Sequence, residues 1–182
     1  MNEEENTITM TDLPSKQECL EILISHIEEM AKLKDIYTVD LNSLCRKLGL
    51  QSPVYETMDK EIFGKIIVDE NSYTCKINEG ITDTQKRFTL AHEISHFILH
   101  RKHIKEGITE DTLLRDLSKL DGTMELEAND FALKILLPNL LMAKAVKNDI
   151  TTLTEIAKRF SVHKMDVCLR LYGRYKEEAS NQ

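Results

Sequence analysis

Hydrophobic residues recur every three or four positions near the start of the chain, and this spacing predicts a helix over about 15–34. Ser15 and Glu18 stand where a capping box would begin that helix. A second, shorter helix is predicted between Asp40, a suitable N-cap, and Gly49, which suits a helix C-terminus. The first quarter of the chain is therefore predicted to be helical.

The pattern changes to strand-like runs in the middle of the chain. Residues 63–68 and 73–77 are rich in β-forming side chains and flank the turn-forming stretch 69–72, so we predict a β-hairpin. From about 83 to 102, apolar side chains cover most of the circumference of a predicted helix. Such a helix belongs in the core of the protein.

Helical periodicity returns in the last third of the chain. A helix is predicted over 123–136, and Pro138 ends it. Shorter helical stretches are predicted at 113–120, at 139–147 and, with a break at Ser161 and Val162, across 151–172. Many helices with one small antiparallel sheet give an α+β fold.

Composition narrows the class of protein. The chain has 182 residues, of which 41% are hydrophobic and 30% charged, and this suits one compact domain. The net charge of −7 argues against a protein that binds nucleic acid through bulk charge. No run of 18 apolar residues, no secretory signal and no C-x-x-C pair among the four cysteines is found. We therefore expect a reduced, cytoplasmic protein.

The predicted core helix carries His92-Glu93-Ile94-Ser95-His96, which matches H-E-x-x-H. Histidines four residues apart lie on one helix face, so both imidazoles can reach one metal ion. The glutamate lies about 100° round the helix, where it can take a proton from a water that the metal activates. Two histidines and a glutamate would be costly in an apolar helix without such a partner.

A catalytic zinc site needs a third protein ligand and an open position. Glu125 shares a helix face with Asn129 and Ala132, small side chains that let helices approach, whereas Glu127 lies on a more polar face. Glu125 is therefore the predicted third ligand. Asn129 is predicted to hydrogen-bond a histidine ligand from behind, the alternative being an ordinary buried amide.

Other residues near the motif are further candidates. His100 continues the row of the two motif histidines, but three consecutive turns cannot all reach one ion, so we expect it to support a ligand or to pack. The sequence does not identify the residue that stabilises the transition-state oxyanion, and His100, Tyr73 and Tyr172 are the alternatives. The strand at 73–77 either presents an exposed edge to an extended substrate or is an ordinary part of the hairpin.

Taken together, these motifs resemble those of the ImmA/IrrE family of metallopeptidases. The similarity lies in FTLAHEISHFILH at 88–100, in ELEANDFA at 125–132, in LLP at 136–138 and in the hairpin across 64–78. It extends over about 15–175, which is nearly the whole chain.

The resemblance implies a zincin-like core that binds Zn²⁺ through His92, His96 and Glu125, with Glu93 as the general base. It also implies a function in a phage, a mobile element or a stress response. Members of the family relieve repression by cleaving, or causing cleavage of, a helix-turn-helix repressor. We see no room before Ser15 for a DNA-binding domain, so the expected partner is a separately encoded helix-turn-helix repressor of the XRE type.

Near the C-terminus, residues 154–171 resemble a helix-turn-helix. Residues 151–176 hold six basic and two acidic side chains, a net charge of +4. Ser161 replaces the usual turn glycine, His163 replaces the usual N-cap residue, and Asp166 would lie near the phosphates. We therefore expect this segment to pack on the core or to dock a repressor rather than to bind DNA.

These expectations divide the chain into four parts: a flexible acidic tail (1–14), a zincin-like metallopeptidase core (15–148), a helix-turn-helix-like segment packed on it (149–176) and a tail (177–182). Two alternatives to a peptidase stay open. One is a non-proteolytic anti-repressor that sequesters or destabilises the repressor. The other is a DNA-binding regulator whose binding depends on Arg170.

Overall fold

A computed structural model describes residues 13–69, 72–104 and 122–180 of the chain. Its helices are α1 (Lys16–Lys32), α2 (Leu41–Lys47), α3 (Asp83–His100), α4 (Gly122–Leu136), α5 (Asn139–Lys147), α6 (Leu153–Phe160) and α7 (Lys164–Ser180), and its strands are β1 (Val54–Glu56), β2 (Gly64–Asp69) and β3 (Ser72–Asn78). The predicted α+β class is confirmed. The helical stretch predicted at 113–120 and residues 1–12 of the predicted tail lie outside the described residues.

Side-chain caps begin the first three helices. Ser15 accepts the backbone N–H of Glu18, and the Glu18 carboxylate accepts the N–H of Ser15, which completes the predicted capping box of α1. Thr82 and Gln85 form the same box at the start of α3. Asp40 caps α2, as its sequence position predicted. Each such cap is worth about 1 kcal/mol, so the start of α3, ten residues before the histidine motif, is well defined.

The sheet has three strands, with β3 between β1 and β2. β2 and β3 are antiparallel, with Ile66 opposite Cys75, which confirms the predicted hairpin. β1 adds in parallel, with Tyr55 opposite Ile77, and makes the sheet mixed. Because β1 also pairs with β3, the strand at 73–77 has a partner on each side. The expectation that it presents an exposed edge is therefore wrong.

Helix α3 is the central element of the fold. It contacts β2 and β3 of the sheet, the helices α1 and α2, and, most extensively, α4. Its buried apolar side chains include Ile94 and Phe97, and each such side chain contributes about 1.5–3 kcal/mol through burial. The histidine motif therefore lies on a helix that packing holds in place. Of the helices in the described residues, none is long and apolar enough to cross a membrane.

The C-terminal helices α6 and α7 are separated by the break that the sequence predicted. Ser161 ends α6 in the left-handed conformation, with φ of 54°, which explains why glycine is usual at this turn. His163 then caps α7 by accepting the N–H of Met165, while Asp166 accepts the N–H of His163. α7 continues to Ser180, so 177–180, predicted as tail, is helical.

Arg170 joins α7 to the rest of the molecule. Its side chain is buried and donates from Nε to the carbonyl of Leu137 (3.3 Å) and from Nη2 to Oδ1 of Asn139 (2.9 Å). On the exposed face of the same helix stand the apolar side chains of Met165 and Leu169. The DNA-binding alternative made duplex binding depend on Arg170, whereas the guanidinium of this residue is occupied by contacts inside the protein.

Candidate metal centre

Two helices bring together the three residues predicted as metal ligands. His92 and His96 lie one turn apart on α3, with their Nε2 atoms 2.9 Å from each other. α4 packs beside them and places Glu125 so that one carboxylate oxygen is 3.3 Å from Nε2 of His92 and the other 3.2 Å from Nε2 of His96. In the described part of the chain, these residues form the cluster able to hold a metal ion.

The spacing of the three side chains suits a small divalent cation. In a tetrahedral zinc site with bonds of about 2.0–2.1 Å, neighbouring ligand atoms lie about 3.3 Å apart. The two histidine–carboxylate distances agree with this value, and the two imidazoles need to separate by only a few tenths of an ångström. The side chains of His92 and Glu125 are 14% and 27% exposed, so the open position of such an ion can be reached from solvent.

The imidazole nitrogens that face away from the cluster have hydrogen-bond partners. Nδ1 of His92 donates to Oδ1 of Asn129 at 3.0 Å, so Asn129 lies behind this ring, where the sequence predicted it. Nδ1 of His96 is 3.2 Å from Nδ1 of His100. A ring that is protonated at Nδ1 presents an Nε2 lone pair on its other side, and this is the form in which histidine binds a metal.

Electrostatics also favour a cation at this position. The hydrogen bonds from His92 and His96 hold the pKa of the Glu125 carboxyl well below its ordinary value, and burial opposes that shift only in part. The site therefore keeps an ionised carboxylate beside two imidazoles. That donor set is typical of catalytic zinc sites.

Glu93 lies next to the cluster in a cleft of about 260 Å³. Its side chain is almost completely buried, as expected for its place on the core helix α3. The same cleft is lined by His92, Glu125 and Asn129 and by residues 61–64, which lead into β2. A substrate group bound in this cleft would therefore contact Glu93 and the metal ligands together.

The segment 61–64, which lines the cleft, is held in place by Asn78 at the end of β3. Its backbone N–H donates to the carbonyl of Phe63 at 2.9 Å, and its buried side-chain amide donates to the carbonyls of Ile62 (2.7 Å) and Asp59 (3.2 Å). At Gly64, where this segment meets α3, an added Cβ would lie 2.4 Å from the methyl of Thr89. These roles were not predicted from the sequence, because they depend on contacts between distant segments.

His100 and Glu127 form a contact that was not predicted from the sequence. Nε2 of His100 is 3.0 Å from Oε2 of Glu127, and Nδ1 of the same buried ring meets His96. Burial is the main cause of a lowered pKa at His100, which favours its neutral form. The sequence pattern placed Glu127 on a more polar helix face, and its side chain is 58% exposed, yet its carboxylate reaches the third histidine. The signal in the sequence was a core histidine that needed an acceptor.

Neither tyrosine suggested for the oxyanion lines the cleft. Tyr73 is buried, and its ring packs edge-on against Phe97 with centroids 5.1 Å apart. Tyr172 is exposed on α7. His100 lies behind His96, on the side away from the carboxylate of Glu125. None of these three residues lines the cleft, so none of them is supported as the group that stabilises the oxyanion.

Fold and site together define an α+β protein with a metallopeptidase-type centre between two helices. The chain belongs to the peptidase M78 family, whose model, described as the IrrE N-terminal-like domain, matches residues 59–172. This confirms the resemblance to the ImmA/IrrE family. The family places the chain among peptidase-type hydrolases, for which a metal is expected.

Two similar proteins show how far the likeness extends. The chain is 32% identical over 97 residues to "Uncharacterized immunity region protein 2" of Bacillus phage phi105, which covers 53% of this chain and 58% of that protein. Among solved structures, a Mycobacterium tuberculosis transcriptional regulator matches 85% of this chain and 46% of its own, with a TM-score of 0.54 and 18% identity. At that identity, the structural match supports the fold alone. The chain spans little more than half of the phage protein.

Proposed function

We propose that this protein is a zinc-dependent endopeptidase that inactivates a separately encoded helix-turn-helix repressor by cleaving it. The observation that carries the proposal is the convergence of His92, His96 and Glu125, with Glu93 beside them in one open cleft. Three protein ligands with a fourth side open to solvent are typical of catalytic rather than structural zinc sites. Membership of a metallopeptidase family supports the same reading.

The chain's own residues have distinct tasks in this reaction. A bound zinc ion supplies Lewis-acid activation of water and of the scissile carbonyl. Glu93 takes the proton from the attacking water and returns it to the leaving amine, which is the general base and general acid role of a carboxylate in such a site. Asn129 holds the ring of His92 so that its lone pair faces the cluster.

The substrate backbone is proposed to bind along β2. This strand is at one side of the sheet, with β3 on its inner edge, and among the described strands no other pairs with its outer edge. Its first residue, Gly64, and the preceding Phe63 line the cleft that holds Glu93. An extended peptide added to this edge would pass the metal ligands with its carbonyl groups exposed to them.

The choice of a repressor as substrate rests on a relative and on the family resemblance. The similar phage protein is named as an immunity region protein, and the family resemblance implies a helix-turn-helix repressor as partner. The alternative, an anti-repressor that binds without cleaving, uses the same partner. The two readings differ in whether Glu93 is needed.

A single pair of variants tests the proposal. The helix-turn-helix repressor encoded nearest to this gene is incubated with the parent, with Glu93→Gln and with Asp130→Asn, an exposed acid on α4 as a matched control. We expect the parent and Asp130→Asn to cut the repressor, and Glu93→Gln to bind zinc normally but cut at least about 100-fold more slowly. Zinc content measured after purification without chelator should be one per chain, and lost in His92→Ala.

Two outcomes would contradict the peptidase reading. An intact repressor that is nevertheless displaced from its operator by both the parent and Glu93→Gln would favour the binding alternative. A parent protein with no bound zinc would remove the basis of the proposed site.

A further inference from the structure

The structure contains a chain of three side chains that ends at a proposed metal ligand. We propose that Glu127 and His100 act as a positioning pair: Glu127 fixes the tautomer of His100, which in turn fixes His96 with its proton on Nδ1 and its Nε2 lone pair toward the metal. This inference rests on the proposed function in one respect, since it takes His96 as a ligand. Neither the family assignment nor the motif gives Glu127 or His100 a role.

The first link is the hydrogen bond between Glu127 and His100. Oε2 of Glu127 lies 3.0 Å from Nε2 of His100. A carboxylate accepts hydrogen bonds and does not donate them, so Nε2 of His100 must carry the proton. In a neutral imidazole the other nitrogen then has a lone pair. Nδ1 of His100 is therefore an acceptor.

The second link is the contact between His100 and His96, which determines the nitrogen on which His96 carries its proton. The two Nδ1 atoms of His100 and His96 are 3.2 Å apart, and only one of them can hold the shared proton. Since Nδ1 of His100 is the acceptor, Nδ1 of His96 is the donor. His96 then keeps its proton on Nδ1, and Nε2, which faces Glu125 and His92 and donates to Glu125 in the metal-free protein, is the nitrogen that a metal ion can bind in place of a proton.

A comparison with the other ligand shows why two residues are needed. Nδ1 of His92 donates directly to an amide oxygen of Asn129, which has a fixed acceptor role. Behind His96 the acceptor is an imidazole, and an imidazole can hold its proton on either nitrogen. If His100 carried its proton on Nδ1, Nδ1 of His96 would be the acceptor, and the proton of a neutral His96 would lie on Nε2, the side that faces the metal. Glu127 removes that arrangement by holding the proton on Nε2.

Because both imidazoles are buried, loss of the hydrogen bonds between Glu127, His100 and His96 should weaken metal binding. His96 and His100 are 5% and 7% exposed, so water is a poor substitute for either partner. Glu127 itself is more than half exposed, so replacing it leaves the core packing in place. Side chains that orient metal ligands in this way typically change metal affinity by about 10–100-fold when they are removed.

The test compares Glu127→Leu with Glu127→Gln and Asp130→Leu. Asp130 lies on the same helix with similar exposure and pairs with Lys134 (2.8 Å), so its variant controls for loss of a surface acid. In zinc titrations against a competing chelator, we expect Glu127→Leu to bind zinc about 10–100-fold more weakly than the parent. Glu127→Gln should stay within about threefold, because its amide oxygen can accept the same hydrogen bond. Asp130→Leu should match the parent.

Imidazole ¹⁵N spectra give a readout that a general loss of stability would not move. In protein with ¹⁵N-labelled histidine, His100 should be protonated at Nε2 in the parent and in Glu127→Gln, and should lose this preference in Glu127→Leu. His100→Phe, which keeps a ring but removes the acceptor, should weaken zinc binding as Glu127→Leu does, and His100→Gln should recover part of the loss.

The outcomes separate this inference from the proposed function. If the parent binds zinc but cuts no repressor, the peptidase proposal fails and the zinc series still decides the role of Glu127. If the parent binds no zinc, the spectra of the metal-free protein decide it. Parent-like affinity in Glu127→Leu, or an Nε2-protonated His100 in that variant, would overturn the inference.

Discussion

Glu125 of α4 connects the two helices of the candidate metal centre, because it contacts both motif histidines of α3. Its carboxylate contacts both motif histidines, and these hydrogen bonds keep its pKa below the ordinary value of 4.5. Without a metal, the same contacts link the ionisation of Glu125 to the stability of the fold. The sign follows from the direction of the shift. Because the folded carboxyl releases its proton more readily than the unfolded one, the contribution is complete above about pH 4.5 and is lost as the pH falls below it.

This linkage predicts a difference between the parent and Glu125→Gln in the presence of a chelator. The free energy of unfolding of the parent should fall more steeply than that of the variant as the pH decreases below about 4.5. Urea denaturation at a series of pH values measures both curves. Parallel curves across the acidic range would show that Glu125 does not interact with the histidines in the metal-free protein.

Residue-level prediction from the sequence succeeded where spacing along one helix decides the geometry. His92 and His96 had to share a face, and a nearby acid on the next helix was the natural complement. The structure brings Glu125 to them, although the role of each residue stays a prediction. The sequence did not reveal Glu127, because exposure and periodicity describe the helix face and not the reach of a long side chain across to His100.

At the scale of secondary-structure elements, β2 approaches α3 so closely that only a residue without a side chain fits at the contact. Gly64 begins β2, and a Cβ there would meet the methyl of Thr89 at 2.4 Å, with the carbonyl of Lys76 at 3.0 Å. This close approach makes the start of β2 part of the lining of the cleft that also contains His92. A side chain at position 64 would have to push the strand away from the helix. The glycine is required by space and not by backbone conformation.

We therefore expect Gly64→Ala to lower the free energy of unfolding by about 1–3 kcal/mol, the usual cost of overpacking. Thr89→Ser removes the methyl that the new Cβ would meet. The double variant should lose less stability than the sum of the two single variants, as urea denaturation in a double-mutant cycle can measure.

Gly173→Ala is the matched control for that substitution. Its Cβ would lie 3.9 Å from the nearest side-chain atom, Oδ1 of Asp130, which is an ordinary contact. On helix α7 this variant should be neutral or more stable by up to about 1 kcal/mol, because alanine favours helix over glycine. Strict additivity of Gly64→Ala and Thr89→Ser would show that the two residues do not clash.

Most elements could be predicted from the sequence, because capping residues and hydrophobic spacing act locally. The start of α1 followed from a capping box, the start of α3 from its apolar pattern, and the break at Ser161 from the change in periodicity. β1 could not be predicted. It has three residues, each of which pairs with a residue of β3 22 positions later, and these partners decide its conformation.

At the scale of the whole molecule, the accessibility of the four cysteines can show whether the hydrophobic core unfolds as one unit. Cys19, Cys45 and Cys75 are fully buried and lie on α1, α2 and β3, whereas Cys168 is exposed on α7. The four sites therefore sample an N-terminal helix, a short helix, the central strand and the C-terminal segment. The buried three belong to one hydrophobic core that also includes Val167 of α7.

If that core unfolds as one unit, thiol labelling should show two classes. With an excess of a thiol reagent at neutral pH, one cysteine per chain should react at once, and Cys168→Ser should abolish this fast phase. The other three should react slowly and at a common rate, because each becomes accessible only when the shared core opens. Mass spectrometry of the labelled peptides assigns each rate. Earlier labelling of Cys19 than of Cys45 and Cys75 would instead show that α1 opens by itself and that the metal-bearing helix keeps its packing without it.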